Sequence, residues 1–197
     1  MRDFSEVADD FESWISQSKK HRFIAEMCWA EFLNLRDRKP SHSDDCLRQV
    51  AMLEGTMMHQ GFSIENAAKG VIVARSSTII IGNRINSSAW EAKGTGHEIS
   101  AIIRNIDESL YLAAGDLLDR AQEFVIWAGR YPTPMKLESY EAAINAKRLS
   151  MKSTDTQAFE TLHDALTKLA LQLASDKPFN RVAEKNTEGQ PLNMGNE

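Results

Sequence analysis

Three charged side chains stand where an amphipathic helix should carry only apolar ones. Between about residues 44 and 77, Val50, Ala51, Leu53, Met57, Met58, Gly61, Ile64, Ala68, Val71 and Ile72 fall on one broad face at about 100° per residue. Glu54, Glu65 and Lys69 project into the same arc. Measured around the helix from Leu47, Glu54 lies about 20° away and Glu65 about 0° away. Glu65 precedes Lys69 by four residues, the order in which a carboxylate and an ammonium attract on a helix. Two readings stay open. Either the charges are buried and paired, because a lone charge in an apolar interior is costly, or the face is half buried and they lie at its edge.

Two further groups could do chemistry. Gly96-His97-Glu98 stands at the start of a helix, whose free N–H groups favour an anion; packing of His97 against a neighbouring helix is the preferred reading. Trp127-Ala128-Gly129-Arg130-Tyr131-Pro132 closes another helix. A cation at a helix C-terminus meets the negative end of the dipole, which accounts for Arg130 without a ligand. The five histidines, His21, His42, His59, His97 and His163, lack zinc-site spacing, so no metal and no cofactor is expected. The two cysteines, Cys28 and Cys46, are too few for a secreted disulfide framework and read as buried reduced thiols.

The elements that must position these residues are helices. Phe4, Val7, Phe11, Trp14, Ile15, Ile24, Met27, Cys28 and Leu35 step by three and four over residues 3 to 36. The polar stretch Ser16 to Arg22 is a place for a kink or a division. Pro40 and Ser41-His42-Ser43-Asp44 form a turn, with Ser43 or Asp44 as N-cap of the helix over 44–77. Within that helix Gly61 falls on the apolar face, where a small residue admits a second helix. Residues 78–95, with β-branched Thr78-Ile79-Ile80-Ile81 before Gly82-Asn83, read as a short extended segment or loop. A third helix opens at Thr95-Gly96 and buries Ile99, Ile102, Ile103 and Ile106. A fourth, with Leu110, Ala114, Leu117, Leu118, Ala121, Val125 and Ala128, stops before Pro132. Two more follow at 137–150 and 156–175, the last with Asp155 as N-cap. From Lys177 the chain turns to Asn, Glu, Gly and Pro, and 177–197 reads as a disordered tail. The fold class is therefore all-α: an up-and-down bundle of about five or six helices over 1–176 with a polar insertion.

Bulk properties narrow the classes. A hydrophobic content of 42% and a charged content of 26% are those of an ordinary globular protein. The longest apolar run, Ile79-Ile80-Ile81, is far below the roughly 18–20 residues of a membrane span, and the acidic start Met1-Arg2-Asp3-Phe4-Ser5-Glu6 is unlike a signal peptide. A cytoplasmic protein is expected. The net charge of −5 shows no bulk phosphate-binding character. The local clusters Lys19-Lys20-His21-Arg22 and Arg36, Arg38, Lys39 read as solvated helix ends.

Three of these motifs also carry a family resemblance. Phe62-Ser63-Ile64-Glu65-Asn66-Ala67-Ala68-Lys69-Gly70 resembles the second-helix signature of HEPN domains, the higher-eukaryote and prokaryote nucleotide-binding helical bundles. Gly96-His97-Glu98-Ile99 resembles the Gly-His-acid-Leu element that opens the family's third helix. Gly129-Arg130-Tyr131-Pro132 resembles the Arg-Tyr-Pro ending of its fourth. Order and spacing agree over about residues 10–135. The resemblance implies a homodimer, a role in RNA, nucleotide or protein binding, and Glu65, Lys69, His97, Arg130 and Tyr131 as ligand-facing residues. A setting in defence or stress rests on fold analogy alone.

The chain departs from the pattern in one respect. Ribonucleases of the family carry an arginine followed, after four to six residues, by a histidine near the start of the last core helix. Here Arg130 is followed by Tyr-Pro-Thr-Pro-Met, and His163 lies far beyond Arg148. The formal match, Arg36 to His42, falls in the first interhelical turn. The first expectation is accordingly a non-catalytic binding module for RNA, a nucleotide or a protein. The second is a divergent metal-independent ribonuclease using His97 and Arg130, with Glu65, brought together in space. The third is a structural subunit with a large uncovered apolar surface.

Overall fold

The computed structural model describes residues 2–38, 42–76, 78–90 and 96–176; the stretch expected to be a disordered tail, 177–197, lies outside them. The described residues are 76% helical. Seven helices are described: α1 Phe4–Ala8, α2 Phe11–Arg36, α3 Ser43–Arg75, α4 Ile99–Ile106, α5 Glu108–Glu123, α6 Leu137–Asn145 and α7 Asp155–Ser175. The segment between α3 and α4 forms a two-stranded antiparallel hairpin, β1 Ile80–Ile81 and β2 Arg84–Ile85, then a 3₁₀ turn at Ser87–Trp90. Gly82, at φ +61°, takes the first central position of the hairpin turn, where a left-handed conformation is needed.

The first long helical stretch divides at Asp9–Asp10, not at the polar run Ser16–Arg22. Capping decides the place: Asp10 accepts the Glu12 N–H at 3.2 Å and starts α2 afresh. The run 16–22 stays helical because tertiary contacts use its polar groups, Ser18 being buried against α7. The cap of α3 is His42, one residue before Ser43; its N–H donates to Asp45 Oδ2 at 3.2 Å. The third helix begins at Ile99, later than Thr95-Gly96, because Gly96 takes φ +76° and its N–H donates to Glu98 Oε2 at 2.9 Å. The sixth helix ends at Asn145, short of residue 150. Asp155 is the first residue of α7, not its cap. Its buried carboxylate pairs with the Arg120 guanidinium and also accepts the Lys152 N–H.

α3 is the axis of the bundle. It runs antiparallel to α2, since Gly70 meets Trp14 and Ile15 at one end and Gly55 meets Cys28 at the other. A Cβ on Gly61 would fall 2.5 Å from Val125 Cγ2 and 3.2 Å from the Ala121 carbonyl oxygen, so the missing side chain lets α5 lie directly on α3. α5 ends in a π-helical turn, Phe124–Ala128, closed by Gly129 N–H to Phe124 O at 3.1 Å. Ile64, Ala68, Val71, Ile99, Ile102, Ile103, Leu118, Phe159 and Leu166 form the core between α3, α4, α5 and α7. None of the described helices is long and apolar enough to cross a membrane.

Candidate functional site

Glu65 and Lys69 lie one turn apart on the covered part of α3, 3% and 7% exposed. Lys69 Nζ donates to Glu65 Oε1 at 2.7 Å. The left-handed turn at Gly96 delivers His97 from the α4 side, and its Nδ1 lies 3.0 Å from both Glu65 oxygens. On the far side, Lys69 Nζ stands 5.1 Å from the centre of the Trp90 ring, and Trp14 meets Trp90 edge to face. The ammonium is thus held between a carboxylate and an indole face. The hairpin that carries Trp90 is tied down by Asp9, which accepts the Ile79 N–H and the Thr78 hydroxyl, each at 2.7 Å.

Burial acts to raise the pKa of Glu65, but the His97 hydrogen bond and the Lys69 charge outweigh it, so the carboxyl titrates below its ordinary range. An ionised Glu65 requires the Nδ1–H form of His97. The His97 side chain is 40% exposed, so the three residues form one electrostatic unit with its histidine edge toward the surface.

Arg130 and Tyr131 lie elsewhere. Arg130 Nη2 donates to the Ile126 carbonyl at 2.6 Å, the helix-end role its position implied, and the guanidinium sits 5.5 Å from the Tyr131 ring centre. Both line a groove of about 540 Å³ with Val50, Leu53, Glu54 and Tyr140. Glu54 and Glu65 are eleven residues apart on α3, roughly 16 Å at helical rise. The structure therefore joins Glu65, Lys69 and His97 and sets Arg130 and Tyr131 in a separate groove. Glu54 is half buried there, its carboxyl pushed up by burial. Arg36 pairs with Asp37 at the end of α2, while His42 caps α3.

Two histidine contacts escaped the sequence reading. His21 of α2 and His59 of α3 stack with Nδ1 atoms 3.0 Å apart, a distance that requires one shared proton. Burial lowers the pKa of both; the Glu65 charge opposes this at His21. His21 and His59 are equally far from Pro40, the midpoint of an antiparallel hairpin, so their pairing could have been read from the turn. His163 of α7 is buried with Nε2 2.7 Å from Ser18 Oγ. Its Nδ1 lies 3.4 Å from Arg22 Nη1 and 3.5 Å from Asp164 Oδ1. Burial lowers this pKa too. Arg22 is also paired with Asp164 and Glu26, which takes one cation out of the basic cluster around it.

Both cysteines are free thiols, Cys28 half buried with its pKa raised by burial, but Cys46 is exposed, contrary to expectation. Among the described residues no group of three or more His, Cys, Asp or Glu could hold a metal ion. No protein-family model, curated protein or solved structure matches the chain.

Proposed function

We propose that this chain is a non-catalytic helical binding module whose partner is a protein. The observation that carries the reading is the uneven cover of one α3 face. Met57, Ile64 and Ala68 on that face are 0% exposed, whereas Leu47 and Val50, about two to six turns earlier, are 69% and 51% exposed. Tyr131 and Tyr140, which line the groove beside Val50, are exposed as well. A contiguous apolar surface of this kind marks an interaction site. The half-buried carboxylate of Glu54 within it disfavours a phosphate backbone. The HEPN resemblance adds RNA or a nucleotide as further ligands, a homodimer, and a defence or stress setting. It rests on three motifs.

A photo-crosslinking amino acid at Leu47, introduced into the full chain in cells, tests this. Protein adducts are expected, reduced by Val50→Glu and absent from a control probe at Glu12. Adducts to RNA at Leu47 would instead sink the reading.

One observation favours the ribonuclease as a second reading. A partly exposed histidine oriented by an ionised carboxylate has the form of a general base. Against it, the groove that Arg130 lines does not include His97. The expected result is no cleavage of a structured RNA in the presence of a chelator. Cleavage that His97→Ala abolishes, with the fold intact, would put the ribonuclease first.

A further inference from the structure

The groove at the free end of α3 has a chemistry more specific than an apolar patch. Leu47, Val50 and Glu54 follow one another at steps of three and four, so they form a single ridge on the helix. Farther along α3, the same face receives the α5 helix and its π-helical turn, Gly61 against Val125 and Met58 against Gly129. The ridge is thus shaped for helix packing along its whole length, and helix is supplied only for part of it.

Glu54 decides what kind of helix fits. It shares its line on α3 with Glu65. Glu65 has two cationic or donor partners, and Glu54 has none among the described residues. Its neighbours in the groove are Val50, Leu53, Trp127 and Tyr140, and burial alone already pushes its carboxyl up. Arg130, on the same groove, is exposed and bonded to the Ile126 carbonyl. A purely apolar occupant would strip the remaining water from Glu54 and leave the carboxylate unpaired. We infer that this groove takes an amphipathic helix of a protein partner, with a lysine or arginine of that helix set against Glu54. The inference rests on the protein-docking reading and specifies the partner's chemistry.

The test uses the full chain and a displayed library of amphipathic helices of about 18 residues, five helical turns. Selection is on the wild type, with counter-selection on Val50→Glu. The enriched helices are expected to carry Lys or Arg at one fixed place beside their apolar ridge, and Glu54→Gln should weaken them about tenfold or more. Matching melting curves establish that both variants are folded. Enriched helices that are sensitive to Val50→Glu but indifferent to Glu54→Gln would overturn the inference and leave the docking reading intact. A selection that yields no helix able to tell the wild type from Val50→Glu would overturn both. A concentration-dependent dimer of the chain, dissolved by Val50→Glu in sedimentation, would make a second copy the occupant and overturn the inference.

Discussion

The two ends of α3 carry the same pattern and meet opposite fates. Leu47, Glu54 and Glu65 lie on nearly one line of the helix. At Glu65 the line is covered by α4 and the 3₁₀ turn, and the carboxylate finds Lys69 and His97. At Glu54 the line emerges beyond the end of α5, and the carboxylate faces a groove whose described cation, Arg130, is bonded to the Ile126 carbonyl instead. An identical side chain on an identical face is thus an internal ion pair in one place and an unpartnered acid in the other. What differs is the neighbour, because desolvation and pairing are properties of the packed environment.

Breaking the covered end should have the largest effect. Lys69→Met removes the cation and leaves Glu65 buried beside a partly exposed His97. The expected loss is on the order of 3 kcal/mol, read from denaturant unfolding. Lys69→Met with Glu65→Leu should recover most of it. A single variant as stable as wild type would mean that the covered end is no different from the free one.

The glycines sharpen the same contrast at a smaller scale. Gly61→Ala places a methyl against Val125 in the covered half. The expected net cost is about 1 kcal/mol, overpacking exceeding the gain in helix propensity. Gly55→Ala, toward the free end, meets only the Cys28 side chain at 3.3 Å, and it should keep part of the ~1 kcal/mol propensity gain. Thermal melts of the two variants check the sign.

The two glutamates should impose opposite pH slopes. The folded-state pKa of Glu65 is lowered, so its contribution is present above the unfolded pKa and fades as pH falls through the folded value. The folded-state pKa of Glu54 is raised, so the folded protein binds more protons and stability declines as pH rises from the unfolded value to the folded one. Subtracting Glu65→Gln and Glu54→Gln stability profiles from wild type between pH 3 and 7 should give differences of opposite slope. The Glu54 effect should be the smaller, under about 1 kcal/mol, because that carboxylate keeps solvent contact. Parallel differences would place the two residues in like environments.

Leu47→Glu should change stability least, within about 0.5 kcal/mol, because an exposed side chain has little packing to lose. Its effect belongs to partner binding. A loss of several kcal/mol in the isolated chain would show that residue 47 is covered within the fold.

Periodicity alone determined the all-α class, the span of α3 and the close approach at Gly61, because a 3.6-residue apolar repeat and a small residue on the buried face act through the helix itself. Sequence order also placed the Glu65–Lys69 pair, since residues four apart are neighbours on any helix. It could not choose between paired and half-buried for Glu54 and Glu65, and both outcomes occur. Where a helix started or stopped depended on caps made by side chains in competition, Asp10 over the polar run at 16–22 and His42 over Ser43. Only the tertiary structure joined His97 to Glu65 and Asp155 to Arg120, and kept Arg130 apart from His97. Those contacts cross between helices. Their existence depends on how far each helix extends and where its neighbour ends, which no local spacing records.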